Sequence, residues 1–188
     1  MKNIVIIIPP KPLCQELEDL MKEFNLIYHT KKALLYKPHI TLKSLGDVEN
    51  KNLKDVMIGI SGIIGTIKPL SVDMHGLRFY GSRKYINGIY IPVERSYELL
   101  SLHRRLVHKL RKYGDSKDRS YKELENFNPH LTLVGDDIDT KNLGKAKREL
   151  KDVIYSYNFS ADKITLELYT EEGNTLVHPW YMDFMLSS

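Results

Sequence analysis

A phrase that occurs twice constrains this chain more than anything else in it: Pro38-His39-Ile40-Thr41-Leu42 and, later, Pro129-His130-Leu131-Thr132-Leu133. In a strand, successive side chains point to opposite faces, so His39 and Thr41 share one face while Ile40 and Leu42 share the other. His130 and Thr132 are set against Leu131 and Leu133 in the same way. Each copy therefore buries two aliphatics and displays an imidazole together with a hydroxyl. The proline ahead of each strand sits where its missing N–H does little harm. Two such strands brought face to face make a pocket holding two histidines and two hydroxyls.

The segments around the two phrases repeat as well. Residues 3–8 are a short β-branched run stopped by Pro9-Pro10, which reads as a buried strand. Residues 12–24 carry Pro12 in a first helical turn and Leu13, Leu17, Leu20, Met21 and Phe24 at helical spacing. A loop at 28–37 enters the first motif strand, 38–45. A helix over 50–64 follows, then an extended segment at 67–80 whose alternation Gly76 breaks as a bulge. After a turn at Gly81-Ser82-Arg83-Lys84, a strand is expected at 86–93 and an amphipathic helix at 95–113. A long polar segment, 114–128, leads into the second motif strand, 129–135. A helix at about 140–154 and strands near 157–170 and 174–186, joined at Gly173-Asn174, complete the chain. The order strand–helix–motif strand–helix–strand thus appears twice, an internal duplication with one motif per half. The halves are 1–80 and 86–188, and they are expected to share a core as one bilobal domain over 1–188.

Composition narrows the setting. With 188 residues, 42% hydrophobic and 28% charged, the chain is an ordinary globular protein able to bury a sizeable core. A net charge of +4 permits an anionic partner without demanding one. Cys14 is the single cysteine, which excludes an intrachain disulfide and a cysteine-based metal site. The apolar run from Ile4 to Ile8 is too short for a secretory segment or a membrane span. A cytoplasmic protein is expected, monomeric, with no membrane partner.

Histidine gives or takes a proton near neutrality, its ordinary pKa being about 6.5. Two histidines flanking one reacting atom can serve as base and acid in a single turnover. Hydroxyls two residues further along can donate to phosphate oxygens. Phosphoryl transfer asks mainly for in-line positioning and for stabilisation of negative charge. The pattern therefore suits cleavage of a phosphodiester without a metal or cofactor.

The paired Pro-His-Ile-Thr-Leu and Pro-His-Leu-Thr-Leu resemble the twin His-x-Thr-x signatures of the 2H phosphoesterase superfamily, which includes LigT-like 2′-5′ RNA ligases and cyclic nucleotide phosphodiesterases. The resemblance runs from the first strand to the last. It implies a bilobal α+β fold with mostly antiparallel sheets facing across a central cleft and helices outside. It also implies that His39 and His130 are general acid and base, in either order, and that Thr41 and Thr132 hold the phosphate. Phe127-x-Pro-His-Leu-Thr-Leu matches the usual second signature, whereas Lys43-Ser44-Leu45 departs from the aromatic-rich phrase of ligase-like members.

The function so implied is a metal-independent phosphoesterase acting on RNA termini or small nucleotides, hydrolysing 2′,3′-cyclic phosphates or 2′-5′ bonds. A nucleotide- or RNA-binding module without turnover and a 2′-5′ RNA ligase are the alternatives. Strand parity puts Lys43 on the face of His39 and Thr41, as a candidate for meeting an anion. Tyr36 and Phe127 both lie three residues before a motif histidine and are candidates for stacking on a base, against core packing, which is favoured for Phe127. Lys31, Lys32, Lys37, Arg83, Lys84, Lys117 and Arg119 lie on loops that could rim the cleft, most of them as solvated bystanders. His29, His75, His103, His108 and His178 are assigned structural or surface places.

Overall fold

A computed structural model describes residues 2–81, 87–114, 120–172 and 175–187. In chain order its elements are β1 (Lys2–Ile7), α1 (Lys11–Ile27), a 3₁₀ turn (Lys32–Leu35), β2 (Ile40–Asp47), α2 (Asn50–Ile64), β3 (Leu70–His75), β4 (Arg78–Tyr80) and β5 (Gly88–Pro92). There follow α3 (Tyr97–Lys109), α4 (Ser120–Glu125), β6 (His130–Val134), α5 (Thr140–Glu149), β7 (Ser156–Ala161), β8 (Lys163–Glu172) and β9 (Thr175–Met185). No described helix is long and apolar enough to cross a membrane. The turn residues Ser82, Arg83 and Lys84, the start of the expected strand at Ile86, Lys117 and Arg119, and the Gly173-Asn174 joint lie outside the described residues.

The fold is the expected α+β architecture with antiparallel sheets. Seven strands run in the order β4-β5-β6-β2-β1-β8-β9, and β3 pairs with β7 in a second sheet. The order β–α–β–α–β recurs, and corresponding strands meet: the motif strands β2 and β6 are neighbours, and so are β3 and β7. The β2–β6 contact is a single residue pair, Ile40↔Leu131. It joins the run β9-β8-β1-β2 to the run β6-β5-β4. The motif strands therefore lie side by side along a seam, and the cleft opens over that seam.

Each element follows from its residues. β1 is β-branched from Ile4 to Ile7, where both its faces are covered. Val5 and Ile7 enter the main core, while Ile4 and Ile6 pack with Tyr169 on the cleft side. The same main core takes Ile40 and Leu42 from β2, Leu131 and Leu133 from β6, and the apolar stripes of the helices: Leu17, Met21 and Phe24 of α1, Val56 and Ile60 of α2, Leu99, Leu102 and Leu106 of α3. Ser96 ends the strand-to-helix link by accepting a hydrogen bond from the Leu99 N–H at 3.2 Å, an ordinary N-cap.

Two stretches expected as single extended segments are each two strands. Residues 67–80 divide into β3 and β4, which belong to different sheets. Gly76 is therefore a corner and no bulge: its φ of +83° is a left-handed conformation that lets the chain leave one sheet for the other. Residues 157–170 likewise divide into β7 and β8. The helices at 95–113 and 140–154 are shorter than their periodicity suggests, ending at Lys109 and Glu149.

Gly88 faces Tyr80 across the β4–β5 pair, and a Cβ at position 88 would run into the phenol ring. The missing side chain is what lets Tyr80 lie flat at the edge of the cleft. Gly88→Ala is expected to destabilise the fold by about 1–3 kcal/mol through overpacking. Urea unfolding of the variant against the parent measures this, and an unchanged midpoint would show that the ring has room to move.

Candidate active site

The geometry of the site follows from one register. With Ile40 opposite Leu131 in antiparallel strands, His39 stands across from Thr132 and Thr41 across from His130. Ile40 and Leu131 are fully buried beneath, so the two imidazoles and two hydroxyls project on the other face. His39, Thr41 and Thr132 line a cavity of about 380 Å³ that spans the seam. Its walls include Tyr36, Tyr80, Tyr169 and Ser44. His130 stands on the same face of β6 with its ring against Tyr90, centroids 4.9 Å apart.

Both histidines are held in the same way. His39 Nδ1 lies 2.8 Å from the Lys37 carbonyl, and His130 Nδ1 lies 2.7 Å from the Asn128 carbonyl. A carbonyl only accepts, so each Nδ1 carries a proton and donates it, which leaves each Nε2 free for chemistry. The acceptor is two residues upstream in both cases, with the motif proline between. Its fixed φ shapes the bend that returns the carbonyl to the ring. Burial pushes the His39 pKa below its ordinary value, the Lys37 carbonyl opposes that shift, and a positive charge on His130 adds to it.

Lys43 is not on this face. Thr41 pairs with Ile6 and Lys43 with Val5, which leaves Leu42 as an extra residue in β2. The irregularity reverses the alternation. Ser44 thus takes the place beside Thr41 that strict parity gave to Lys43. Lys43 instead lies behind the strand, 4% exposed, with its ammonium 2.7 and 3.0 Å from the two carboxylate oxygens of Glu123 in α4. Phe127 is also behind the site, stacked on His103 at 3.6 Å within the core. His103 in turn donates from Nδ1 to the Leu42 carbonyl at 2.7 Å, at the irregularity itself. Tyr36 is the one stacking candidate that reaches the cavity. Its ring is edge-on to His39 at 6.1 Å and to Tyr169 at 5.6 Å.

Residues that sequence reasoning passed over surround the site: Tyr80, Tyr169 and Ser44 in the cavity wall, and Tyr90 against His130. Tyr90 is the register partner of Thr132, and its ring lies 5.6 Å from that of Tyr80. Its position between the buried Ile89 and Ile91 was the available signal, since alternation already placed it on the opposite face. Among the rim lysines, Lys32 pairs with Asp136 at 2.7 Å, and the N–H groups of Lys31 and Lys32 donate to Asp137. These bonds fasten the 3₁₀ turn to the segment after β6. Lys37 lies over the Tyr181 ring, 4.6 Å from its centroid. Among the described residues, no group of three or more His, Cys, Asp or Glu side chains could hold a metal ion.

Comparison with known proteins gives a consistent result. The sequence profile of the 2′-5′ RNA ligase superfamily matches residues 9–173. An RNA 2′,3′-cyclic phosphodiesterase of Methanocaldococcus jannaschii is 26% identical over 150 residues, 79% of this chain and 76% of that protein. Among solved structures, TT0787 of Thermus thermophilus superposes with a TM-score of 0.70 at 14% identity, over 99% of this chain and 98% of the other. E. coli LigT, in its complex with ATP, superposes with a TM-score of 0.60 at 15% identity, over 100% and 98% of the two chains. The last two likenesses concern the fold.

The electrostatics of the pair are directly measurable. His39 is expected to titrate below about 6.5, and so to be neutral at pH 7. Removing the neighbouring charge by His130→Gln is expected to raise the His39 value. Histidine-detected NMR over pH 4–9 reads both, and an upward-shifted His39 in the parent would contradict the burial argument.

Proposed function

The chain belongs to the 2′-5′ RNA ligase superfamily, the 2H phosphoesterases, and on that premise we propose that it is a phosphodiesterase opening 2′,3′-cyclic phosphates at RNA ends or on nucleotides. The observation that carries the reading is the crossed quartet, His39 against Thr132 and Thr41 against His130, with both Nδ1 atoms committed to carbonyls. The name of the Methanocaldococcus relative supports the choice of reaction. The ATP complex of LigT supports a nucleotide-sized ligand in a fold of this kind.

In the proposed reaction a water oxygen bonds to phosphorus while one phosphorus–ribose oxygen bond of the ring breaks. His39, kept neutral by burial, takes the water proton on Nε2. His130, entering as the imidazolium, delivers a proton from Nε2 to the departing ribose oxygen. The product is an open phosphomonoester and a free ribose hydroxyl, and the two histidines exchange protonation states. Thr41, Thr132 and Ser44 supply neutral donors to the non-bridging oxygens, whose negative charge is spread in the transition state. The proton on His130 adds positive charge while it remains there, and a charged His130 in turn favours a neutral His39.

General acid–base groups typically contribute a factor of about 10² to 10⁴ each. With nucleoside 2′,3′-cyclic phosphates in EDTA, His39→Ala and His130→Ala are each expected to lose at least about 100-fold in kcat, with far-UV circular dichroism unchanged. Turnover that survives either substitution would overturn the assignment, and parent turnover abolished by EDTA would overturn the metal-free route.

A further inference from the structure

The catalytic cavity does not end at its own wall. Beyond Tyr36 and Lys37 lies a second cavity of about 440 Å³, within the range of ligand pockets, roughly 300–1,000 Å³. Met21, Tyr36 and Lys37 line both. The second is otherwise walled by Leu34, Leu35 and Tyr181, with Glu18 and Lys22 of α1 at its lip. Resting on the reading above for the seat of the terminal nucleotide, we propose that this second cavity binds the penultimate nucleotide of a single-stranded RNA end, so that the substrate is an oligonucleotide rather than a mononucleotide.

Three observations carry this. The first is adjacency: Tyr36 and Lys37, consecutive in the chain, line both cavities together with Met21, so the two cavities are direct neighbours. The second is the position of charge. Lys37 is one of these shared residues, with its ammonium over the Tyr181 ring. The phosphodiester linking the last two nucleotides would cross there. The third is the lining. Tyr36, Tyr181 and the partly exposed Leu34 offer flat and apolar surface suited to a base, and base–aromatic stacking is tolerant of sequence.

Elsewhere the lining restricts what can bind. Lys22 is already paired with Asp19 at 2.8 Å, and Glu18 accepts from Cys14. This acidic lip disfavours further backbone phosphate, which limits recognition to the base and the one phosphate at Lys37. Tyr181 stands in the register position opposite Glu167, a carboxylate buried at 1% exposure, and strand pairing between β8 and β9 holds its backbone in place.

The test compares a nucleoside 2′,3′-cyclic phosphate with a dinucleotide ending in the same group. The parent protein is expected to favour the dinucleotide in kcat/KM by about 5- to 150-fold, the effect of one stacked base. Tyr181→Ala is expected to reduce that ratio to near one. In Lys37→Met the dinucleotide is expected to lose its extra salt dependence, a slope of about 0.7 in log–log form for one phosphate. Calorimetric binding of a mononucleotide 3′-phosphate and a dinucleotide 3′-phosphate gives the same comparison without turnover, so loss of the proposed reaction and loss of the subsite are separable. A ratio near one in the parent, or a preference that Tyr181→Ala and Lys37→Met both retain, overturns the subsite.

Discussion

One residue pair, Ile40 opposite Leu131, decides where every group of the proposed chemistry stands. Sliding one strand by a single residue would turn its histidine and threonine into the core and its aliphatics into the cleft. The pair is protected by what lies behind it rather than by more ladder. Both side chains are fully buried, each worth roughly 1.5–3 kcal/mol of transfer energy. The backbone on either side is tied down from the helices. Asn25 of α1 donates to the Leu133 carbonyl at 2.9 Å, and His103 of α3 donates to the Leu42 carbonyl at 2.7 Å. Each motif strand is thus pinned two residues beyond the seam by a buried side chain from a different helix. A short contact between two sheet halves becomes a fixed register.

Much of this was legible in the residues. The doubled phrase located the site, and parity alone put His39 with Thr41 and His130 with Thr132. The main helices and the strands around the motifs followed from periodicity, because each apolar stripe had one core to face, whereas α4 inside the expected polar segment 114–128 did not. What stayed hidden has a common physical origin. Strict alternation assumes an uninterrupted ladder, and the extra residue at Leu42 breaks it, which sends Lys43 into the interior and brings Ser44 forward. No composition signal announces such an irregularity. The chain's passage between sheets at Gly76 was hidden for the same reason, since a glycine in an alternating stretch reads equally as a bulge or a corner. The partners of the histidine rings were hidden too. A carbonyl has no side-chain identity to read, although the proline ahead of each histidine shapes its approach.

The two halves of the site are alike in backbone and unlike in surroundings. Each histidine has the same carbonyl two residues upstream and one aromatic neighbour, Tyr36 for His39 and Tyr90 for His130. His39, however, lies where burial works against its charge, and a charge on His130 works against it further. A symmetric pair would have no preferred direction of proton flow. In the proposed reaction the asymmetry favours the imidazole on β2 as the group that accepts the proton.

The lysines around the cleft sharpen that argument. Lys43 is neutralised by Glu123 behind β2, Lys32 is paired with Asp136 at the rim, and Lys37 is seated on Tyr181. The two lysines that line the cavity are thus already engaged, Lys32 by a carboxylate and Lys37 by a ring, and the uncharged donors of its lining are hydroxyls and phenols. A permanent ammonium against the phosphate would stabilise the bound substrate and the transition state almost alike, improving affinity more than rate. In the proposed reaction a proton on His130 is different, because it would move to the leaving oxygen as the bond breaks and be worth most at that moment. Placing Lys43 behind the strand and Ser44 in front of it thus leaves the decisive charge of the proposed reaction on the one group that can transfer it.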